Sequence, residues 1–130
     1  CRMPMKLTLV TPVLPVADVV RTQEYYRDVL DFTVEWRDRE VFGGVSHGTV
    51  SLFFQRTDNP PRGITCVLNT PDADEVFRRY TEKGANIVDP IATRAWGMRE
   101  FTVEDRNGHF LRIGHVDESV ADYSQFHRNM

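Results

Sequence analysis

The feature that most constrains the fold is a pattern of strands and helices that occurs twice along the chain. Each copy contains one strand, one helix and then three strands, and the copies are offset by about 50 residues. The segment 57–63, rich in Pro, Gly, Asp and Asn, would join them. Because one such unit leaves a sheet face open, we expect an α+β fold with two tandem βαβββ units. These would form a curved mixed sheet around a groove, with both helices on the outer face.

We expect a single domain over 1–130, because a chain of this length rarely forms more than one. Repeat one would cover about 7–56, the linker 57–63, repeat two about 64–116, and a C-terminal tail 117–130. Apolar residues make up 41% of the chain and charged residues 27%, proportions that allow a packed core.

Charge and hydropathy exclude several classes of protein. The net charge is −3 and there is no long basic run, which argues against nucleic acid as a partner. No apolar run approaches the roughly 18 residues of a membrane span. No signal peptide is visible, so we expect a cytoplasmic protein without membrane contact. Because the chain opens with Cys1 rather than Met, we expect residues 1–2 to be a cloning remnant or an upstream start to have been removed.

Repeat one is predicted from β-rich runs around a single amphipathic stretch. The predicted strands are 7–16, 32–37, 41–46 and 49–55. The helix, 18–30, would begin with Asp18 as its N-cap and be followed by Asp31 in the left-handed conformation. Pro12 and Pro15 lack an amide N–H, so the first strand would lie at an edge or be irregular.

Repeat two begins the same way and closes with a hairpin. We expect a strand at 64–68, a helix from Asp72 to Gly84, a short strand at 86–88, a loop at 90–96, two strands within 96–114 and a short helix over 116–127. Cys66 lies in an apolar run and is expected to be a small buried side chain.

The four histidines show none of the close spacings of a metal site. His47, His109, His115 and His127 have neither HxH nor HxxxH spacing, and we expect them to be scattered over the surface. A site assembled from distant strands remains open, because metal ligands need not be adjacent in sequence.

The final hairpin decides which residues face the groove. Its turn contains Asp105 and Gly108, residues that stabilise turns and tolerate positive φ. A four-residue loop would place Phe101 opposite Arg112. A loop with a bulge at Gly108 would shift the pairing by one residue and reverse the faces.

We prefer the bulged register because it gives the helices one uniformly apolar face to cover. That face would hold Phe101, Val103, Leu111 and Ile113. The opposite face, towards the groove, would hold Glu100, Thr102, Phe110 and Arg112.

The same alternation in repeat one adds aromatic side chains to the groove. Ser51, Phe53 and Gln55 would face it, with Trp36, Phe42 and Trp96 at its rim. The predicted ligand-binding residues are Trp36, Phe42, Phe53, Gln55, Trp96, Glu100, Thr102, Phe110 and Arg112. Such a cleft suits a small aromatic or cationic ligand. Two alternatives stay open: the aromatic residues pack in a core or subunit interface, or Arg112 forms a structural ion pair with Glu100.

Several segments resemble a known superfamily over roughly residues 7–116. The matching motifs are Leu14-Pro15-Val16-Ala17-Asp18, Tyr25-Tyr26-Arg27-Asp28-Val29-Leu30-Asp31-Phe32, Trp96-Gly97-Met98-Arg99-Glu100-Phe101 and Asp105-Arg106-Asn107-Gly108-His109. They resemble the vicinal oxygen chelate superfamily, which includes glyoxalase I, bleomycin resistance proteins and extradiol dioxygenases. The middle of the chain, 37–45 and 52–57, is most similar to the bleomycin resistance branch.

The resemblance also places the superfamily's metal ligands. In metal-using members, His, Gln or Glu opens the first strand of each half, and Glu lies two residues into the last strand. These positions fall on Thr11, on 63–65 and on Arg112. Thr is a poor ligand, Gly has no side chain, and Arg is a permanent cation that repels a metal ion. The resemblance therefore implies no metal, no cofactor and no catalytic residue.

These observations favour a metal-independent binding protein for a drug or metabolite, which sequesters its ligand as bleomycin resistance proteins do and is not an enzyme. The resemblance implies a homodimer whose groove forms between two chains, in some relatives with exchanged strands. One alternative is a metal-dependent glyoxalase-like lyase or isomerase, or a dioxygenase, with non-standard ligands. Another, which the sequence does not separate from the first interpretation, is a regulatory or immunity-type binding module.

Overall fold

The computed structural model describes residues 5–120 of the chain. Repeat one contains β1 (Val13–Val16), α1 (Val19–Asp28), β2 (Thr33–Asp38), β3 (Phe42–His47) and β4 (Val50–Arg56). Repeat two contains β5 (Thr65–Asn69), α2 (Ala73–Glu82), β6 (Asn86–Thr93), β7 (Met98–Glu104) and β8 (Phe110–Val116). Both repeats have the predicted βαβββ order, so the α+β prediction is confirmed.

Each repeat forms one four-stranded mixed sheet. The strand orders are β1-β4-β3-β2 and β5-β8-β7-β6, and neither sheet closes into a barrel. In each sheet the first strand lies parallel to the last, and the other neighbours are antiparallel. The face of each sheet that is turned away from its helix is called its open face below.

Both helices begin at the predicted aspartates. The Asp18 side chain accepts a hydrogen bond from the amide of Arg21, and the Asp72 side chain accepts one from the amide of Glu75. After α1, Asp31 has a φ of 65°, the left-handed conformation expected there. Helix α1 packs on β2, β3 and β4, and α2 on β6, β7 and β8. Within residues 5–120, neither helix is long and apolar enough to cross a membrane.

The helix-facing sides of the two sheets contribute to one hydrophobic core. Tyr26 on α1 packs against Phe54, with ring centroids 4.9 Å apart, and Tyr80 on α2 packs edge-on against Phe101 at 6.1 Å. Cys66 is only half-buried beside this core, and burial raises the pKa of its thiol. The predicted apolar face of the final hairpin, Phe101, Val103, Leu111 and Ile113, is buried, whereas Cys66 is less buried than expected.

A buried polar network joins the two repeats. The Tyr26 hydroxyl donates to Asp105 Oδ2 at 2.8 Å, and Asn107 Nδ2 donates to the hydroxyl of Thr22 at 3.1 Å. His109 is fully buried: its Nε2 lies 2.8 Å from the carbonyl oxygen of Pro15, and its Nδ1 accepts from the Ile64 amide. The expectation that His109 lies on the surface was wrong, because its ring satisfies backbone groups between the repeats.

The first predicted strand is shorter than expected. Only the last four residues of 7–16 form β1, and residues 7–12 have no regular secondary structure. Leu7, Leu9 and Val10 are 92%, 77% and 89% exposed. Alternation in the sequence cannot show whether a neighbouring strand exists, and a strand needs one. These residues are called the N-terminal arm, 5–12, below.

The strand β6 is longer than expected. Residues 86–93 are all extended, so the predicted loop at 90–96 begins too early. Two irregularities in the pairing with β7, between Ile87 and Asp89 and between Asp89 and Ala92, accommodate Pro90. Of the helix predicted over 116–127, residues 121–127 lie outside the described residues, and 117–120 form a turn.

Candidate ligand-binding site

Three aromatic side chains form a cluster on the open face of the first sheet. The ring centroid of Trp36 lies 5.1 Å from that of Phe42 and 5.0 Å from that of Phe53, and Phe42 and Phe53 are 5.7 Å apart. All three contacts are tilted or edge-to-face, which are favourable arrangements of aromatic rings. The Trp36 residue is 37% exposed, so this aromatic cluster offers ring surface to a ligand.

A β-bulge and a glycine make room for the cluster. The pairing of β2 with β3 shifts between Val34 and Trp36, which places Trp36 opposite Gly44. Gly44 also lies opposite Phe53 on β4. A Cβ atom at Gly44 would lie 2.5 Å from Trp36 Nε1, so the indole would have to move, and 3.2 Å from Phe53 Cδ1, a tight contact. Gly44 is therefore part of the site, although sequence reasoning missed it; a glycine inside a strand was the available signal.

A buried glutamine on α1 holds the backbone beneath the cluster. Gln23 Nε2 donates to the carbonyl oxygens of Trp36 at 2.8 Å and Gly44 at 3.2 Å. Its Oε1 accepts from Arg37 Nε at 2.9 Å. This side chain is uncharged and fully buried, and its hydrogen bonds to both strands fix β2 against β3. Sequence reasoning missed Gln23 because a polar residue on a helix is usually exposed.

Gln55 lies at the edge of the aromatic cluster. It pairs with Phe42 across the ladder and with Pro15 on β1, and it is exposed. A ligand stacked on the rings could therefore receive or donate a hydrogen bond at Gln55.

The second sheet carries the other predicted residues, and its hairpin has the preferred register. Phe101 pairs with Ile113, and Thr102 pairs with Arg112. Gly108 has a φ of 78° and closes the turn that the bulged register requires. Thr102 and Arg112 are therefore neighbours on the open face, as predicted, and Phe110 follows on the same face.

Glu100 is already held by a cation, but not by Arg112. It lies opposite Gly114, is 6% exposed, and its Oε1 is 3.8 Å from Arg94 Nε. Arg94 also contacts Asp89 at 3.0 Å and donates to the carbonyl oxygen of Pro90. The alternative of an ion pair between Glu100 and Arg112 was wrong about the partner. Glu100 lies opposite Gly114 and contacts Arg94, whereas Arg112 lies opposite Thr102.

Trp96 lies in the turn between β6 and β7. It is 41% exposed and precedes Gly97, which has a φ of 88°. The structure thus brings Trp36, Phe42 and Phe53 into contact, and places Thr102, Phe110 and Arg112 together on the other sheet. None of the nine predicted residues lines the cavity of about 610 Å³ that lies between α2 and the β3–β4 turn.

The sequence of residues 8–113 matches the family described as the glyoxalase/bleomycin resistance protein/dioxygenase superfamily. The chain belongs to this superfamily. No curated protein matches the chain in sequence.

Several solved structures have the same fold. A bleomycin resistance determinant encoded on the transposon Tn5 superimposes with a TM-score of 0.75 at 23% identity, covering 86% of this chain and 99% of the other. TioX from Micromonospora sp. ML1 gives 0.74 at 23%, covering 84% and 98%. The bleomycin-binding protein of Streptomyces verticillus, in complex with copper(II)-bleomycin, gives 0.71 at 23%, covering 85% and 97%.

The residues at the superfamily's metal positions do not fit a divalent ion. Arg112 is exposed on the open face of the second sheet, where a carboxylate would be needed. Thr11 belongs to the N-terminal arm, and the Ile64 amide is used by His109. Within residues 5–120, no group of three or more His, Cys, Asp or Glu side chains could hold a metal ion. Two of the histidines are engaged elsewhere: His109 bonds backbone groups between the repeats, and His115 Nδ1 accepts from the Ala73 amide at the start of α2.

Proposed function

We propose that the chain binds a small aromatic or cationic molecule on the aromatic cluster and sequesters it without chemical change. The observation that carries this proposal is the contact of Trp36, Phe42 and Phe53 on an open sheet face, with centroids 5.0 to 5.7 Å apart. Folded proteins normally cover such a group of rings, so its accessibility favours a binding role.

The chemistry of the cluster favours flat or positively charged ligands. The faces of aromatic rings attract π systems and cations, and the contribution grows when water is excluded. Arg94 already compensates Glu100, so in this proposal the rings provide most of the attraction. Gln55, Trp96, Thr102, Phe110 and Arg112 would surround the ligand in the assembled groove.

The superfamily supports sequestration at a coarse level. Two of the similar structures are described as bleomycin-binding proteins in complex with bleomycin, and a third as a bleomycin resistance determinant. Their sequence identities of 22–23% indicate a shared fold. The unsuitable residues at the metal positions favour the same branch over metal-dependent lyases, isomerases and dioxygenases.

The groove is proposed to form in a cytoplasmic homodimer, between the first sheet of one chain and the second sheet of its partner. Two observations support a dimer. Both open faces carry exposed apolar residues, such as Trp36 and Val67, and the N-terminal arm exposes Leu7, Leu9 and Val10. An apolar arm of this kind is stabilised by pairing with another chain, so exchange of the arm is part of the proposal.

The direct test is calorimetric titration with metal-free bleomycin, copper-loaded bleomycin and a panel of aromatic cationic drugs. We expect one ligand of this set to bind with a Kd at or below the micromolar range, and Phe53→Ala to weaken it at least tenfold. Val88→Ala, another exposed apolar residue of a strand, is the matched control and should leave the affinity unchanged. Unaltered binding by Phe53→Ala would show that the ligand lies elsewhere.

Two further measurements separate the parts of the proposal. Light scattering should give twice the mass of one chain, and removal of residues 1–11 should shift the mass towards a monomer. Metal analysis of protein prepared without chelators should find no stoichiometric divalent ion. One ion per chain, together with an activity that chelation abolishes, would replace sequestration with metal-dependent catalysis.

A further inference from the structure

A second concave site lies on the other side of the first sheet from the aromatic cluster. The cavity of about 610 Å³ is bounded by the β3–β4 turn of repeat one and by the first two turns of α2 in repeat two. Val50 contributes to its wall, whereas Phe53, three residues further along β4, faces the aromatic cluster. Because side chains alternate along a strand, the two sites occupy opposite faces of β4. The cavity is within the range of about 300–1,000 Å³ that suits small ligands.

The floor of the cavity is the edge of the hydrophobic core. Phe32, Tyr80 and Ile113 line it and are otherwise buried, and Val50 and Val76 complete its walls. These residues come from both repeats, so an apolar ligand body in the cavity would contact both. Transfer of such a body from water to this surface is favourable in proportion to the apolar area covered.

The charged residues at the mouth leave one cation available to a ligand. Asp31 is contacted by two cations, Lys83 through Nζ and Arg79 through Nε at 3.5 Å. Glu75 receives two hydrogen bonds from Arg78, at 2.7 and 3.1 Å. Both carboxylates are therefore compensated, and Arg79, which contacts Asp31 through Nε at 3.5 Å, is the cation among the lining residues.

Other polar residues also line the cavity. Thr49 and Thr70 carry hydroxyl groups, Asn69 carries an amide, and His47 carries an imidazole. A guanidinium binds carboxylates through two parallel bonds, so Arg79 is the lining residue best suited to hold a carboxylate.

We propose that this cavity is a second ligand site, which takes a small carboxylic acid with an apolar aromatic or aliphatic body. Its carboxylate binds the terminal nitrogens of Arg79, and its body lies against Phe32, Tyr80 and Ile113. The site does not depend on the aromatic cluster or on the ligand of that cluster. Because it joins the repeats, its occupant stabilises their packing by mass action.

Titration of the ¹⁵N-labelled full chain with 4-phenylbutyrate, followed by NMR, tests the site. We expect amide shifts that saturate at Thr49, Val76 and Ile113 with a Kd at or below about 1 mM, and no shift at Trp36 or Phe53. 4-Phenylbutyramide, which lacks the charge, should bind at least fivefold more weakly. Absence of saturable shifts at the cavity, shifts confined to the aromatic cluster, or equal affinity for the amide would each overturn the proposal.

Matched variants test the role assigned to Arg79. Arg79→Gln should weaken phenylbutyrate binding at least tenfold. Lys83→Gln removes the other cation that contacts Asp31, and Lys83 does not line the cavity. This variant should change the affinity less than threefold. Equal losses in the two variants would show that net charge, and not contact with Arg79, holds the carboxylate.

A third variant fills the cavity. Val76→Trp should abolish binding while thermal unfolding stays cooperative. If this variant does not fold, Arg79→Gln still decides, because its side chain is 56% exposed and its replacement leaves the core intact. Phe53→Ala is the control from the aromatic cluster and should bind phenylbutyrate as the unaltered chain does.

Discussion

The two sheets share one framework but differ on their open faces. In the first sheet the Pro12 carbonyl accepts from the Phe53 amide at 3.0 Å, and in the second the Ile64 carbonyl accepts from the Phe110 amide at 2.9 Å. Phe53 and Phe110 thus occupy equivalent positions. Across the antiparallel ladder, however, Phe53 faces Gly44, whereas Phe110 faces Glu104.

This difference explains why only one sheet builds an aromatic cluster. Gly44 leaves the space that Trp36 fills beside Phe53, while Glu104 occupies the equivalent space and lies 3.9 Å from Arg62. The helix-facing sides are constrained by the common core, so the open faces were freer to diverge. In this proposal the first sheet supplies ring surface to the ligand, and the second supplies polar groups.

The helices show the same divergence at one pair of tyrosines. Tyr26 and Tyr80 each lie eight residues after the aspartate that caps their helix. Tyr26 donates to Asp105 in the other repeat, whereas Tyr80 lines the cavity between the repeats. The repeats are therefore joined by hydrogen bonds at one tyrosine and by apolar packing at the other.

The largest effect should come from Asp105, which anchors the β7–β8 turn to α1. Asp105→Ala removes the acceptor of the Tyr26 hydroxyl and of the Asn107 and His109 amides, leaving buried donors unpaired. We expect the free energy of unfolding, measured by urea denaturation, to fall by about 3–5 kcal/mol.

The corresponding turn of repeat one supplies the control. His47 is exposed at the β3–β4 turn, and His47→Ala should cost about 0.5 kcal/mol or less. Equal losses for Asp105→Ala and His47→Ala would contradict the asymmetry between the two turns.

The tyrosine pair should also respond unequally. Tyr26→Phe leaves Oδ2 of Asp105 without its buried donor and should cost about 2 kcal/mol. Tyr80→Phe removes a hydroxyl for which the described residues supply no hydrogen bond, and should cost about 0.5 kcal/mol or less at neutral pH. Urea denaturation of both variants measures the two losses of stability. A larger loss for Tyr80→Phe than for Tyr26→Phe would contradict the prediction.

The same pair predicts an alkaline limit to stability. Burial, together with the charge of Asp105, holds the pKa of Tyr26 well above its ordinary value of 10.0, and burial raises that of Tyr80. Both stabilising contributions are therefore fully present below pH 10 and decline as pH rises towards the folded-state pKa values. The double variant Tyr26→Phe/Tyr80→Phe should show a flatter decline of the unfolding midpoint between pH 9 and 11. An unchanged slope would exclude the two tyrosines as its source.

The sequence predicts the framework well because the framework depends on local signals. Asp18 and Asp72 mark the helix starts, and alternation with a glycine in the turn fixes the final register. The candidate site was harder to predict, because its decisive contacts join residues that are distant in sequence. Neither the support that Gln23 gives to Trp36, nor the capture of Glu100 by Arg94, leaves a periodic signal. The exposure of the N-terminal arm likewise depends on whether a strand neighbour exists.

A smaller effect is expected where Gly44 meets Trp36. Gly44→Ala forces the indole to move, and we expect a loss of about 1–2 kcal/mol in stability, a shift of the tryptophan emission and weaker binding of the cluster ligand. The matched change in the other sheet is Glu104→Ala, at the equivalent position opposite Phe110. It should leave the emission spectrum unchanged. A Gly44→Ala variant with native emission and affinity would show that the cluster does not need the glycine.

The smallest effect should appear at the exposed end of β8, at Asp117 in repeat two. Hydrogen bonds from Ser119 and Thr93 lower the pKa of Asp117 to about 2, below its ordinary 3.8. Because this pKa is lowered on folding, the stabilising contribution of the ionised Asp117 carboxylate is present above pH 3.8 and is lost as pH falls towards 2. Asp117→Asn should therefore shift the unfolding midpoint slightly at pH 6 and not at pH 2. In the β2–β3 turn of repeat one the Val41 amide donates to the Asp38 carbonyl, and the Asp38 carboxylate accepts from Arg39 Nε at 3.3 Å. Equal shifts of the midpoint for Asp117→Asn at pH 6 and at pH 2 would contradict the assignment of this acid sensitivity to Asp117.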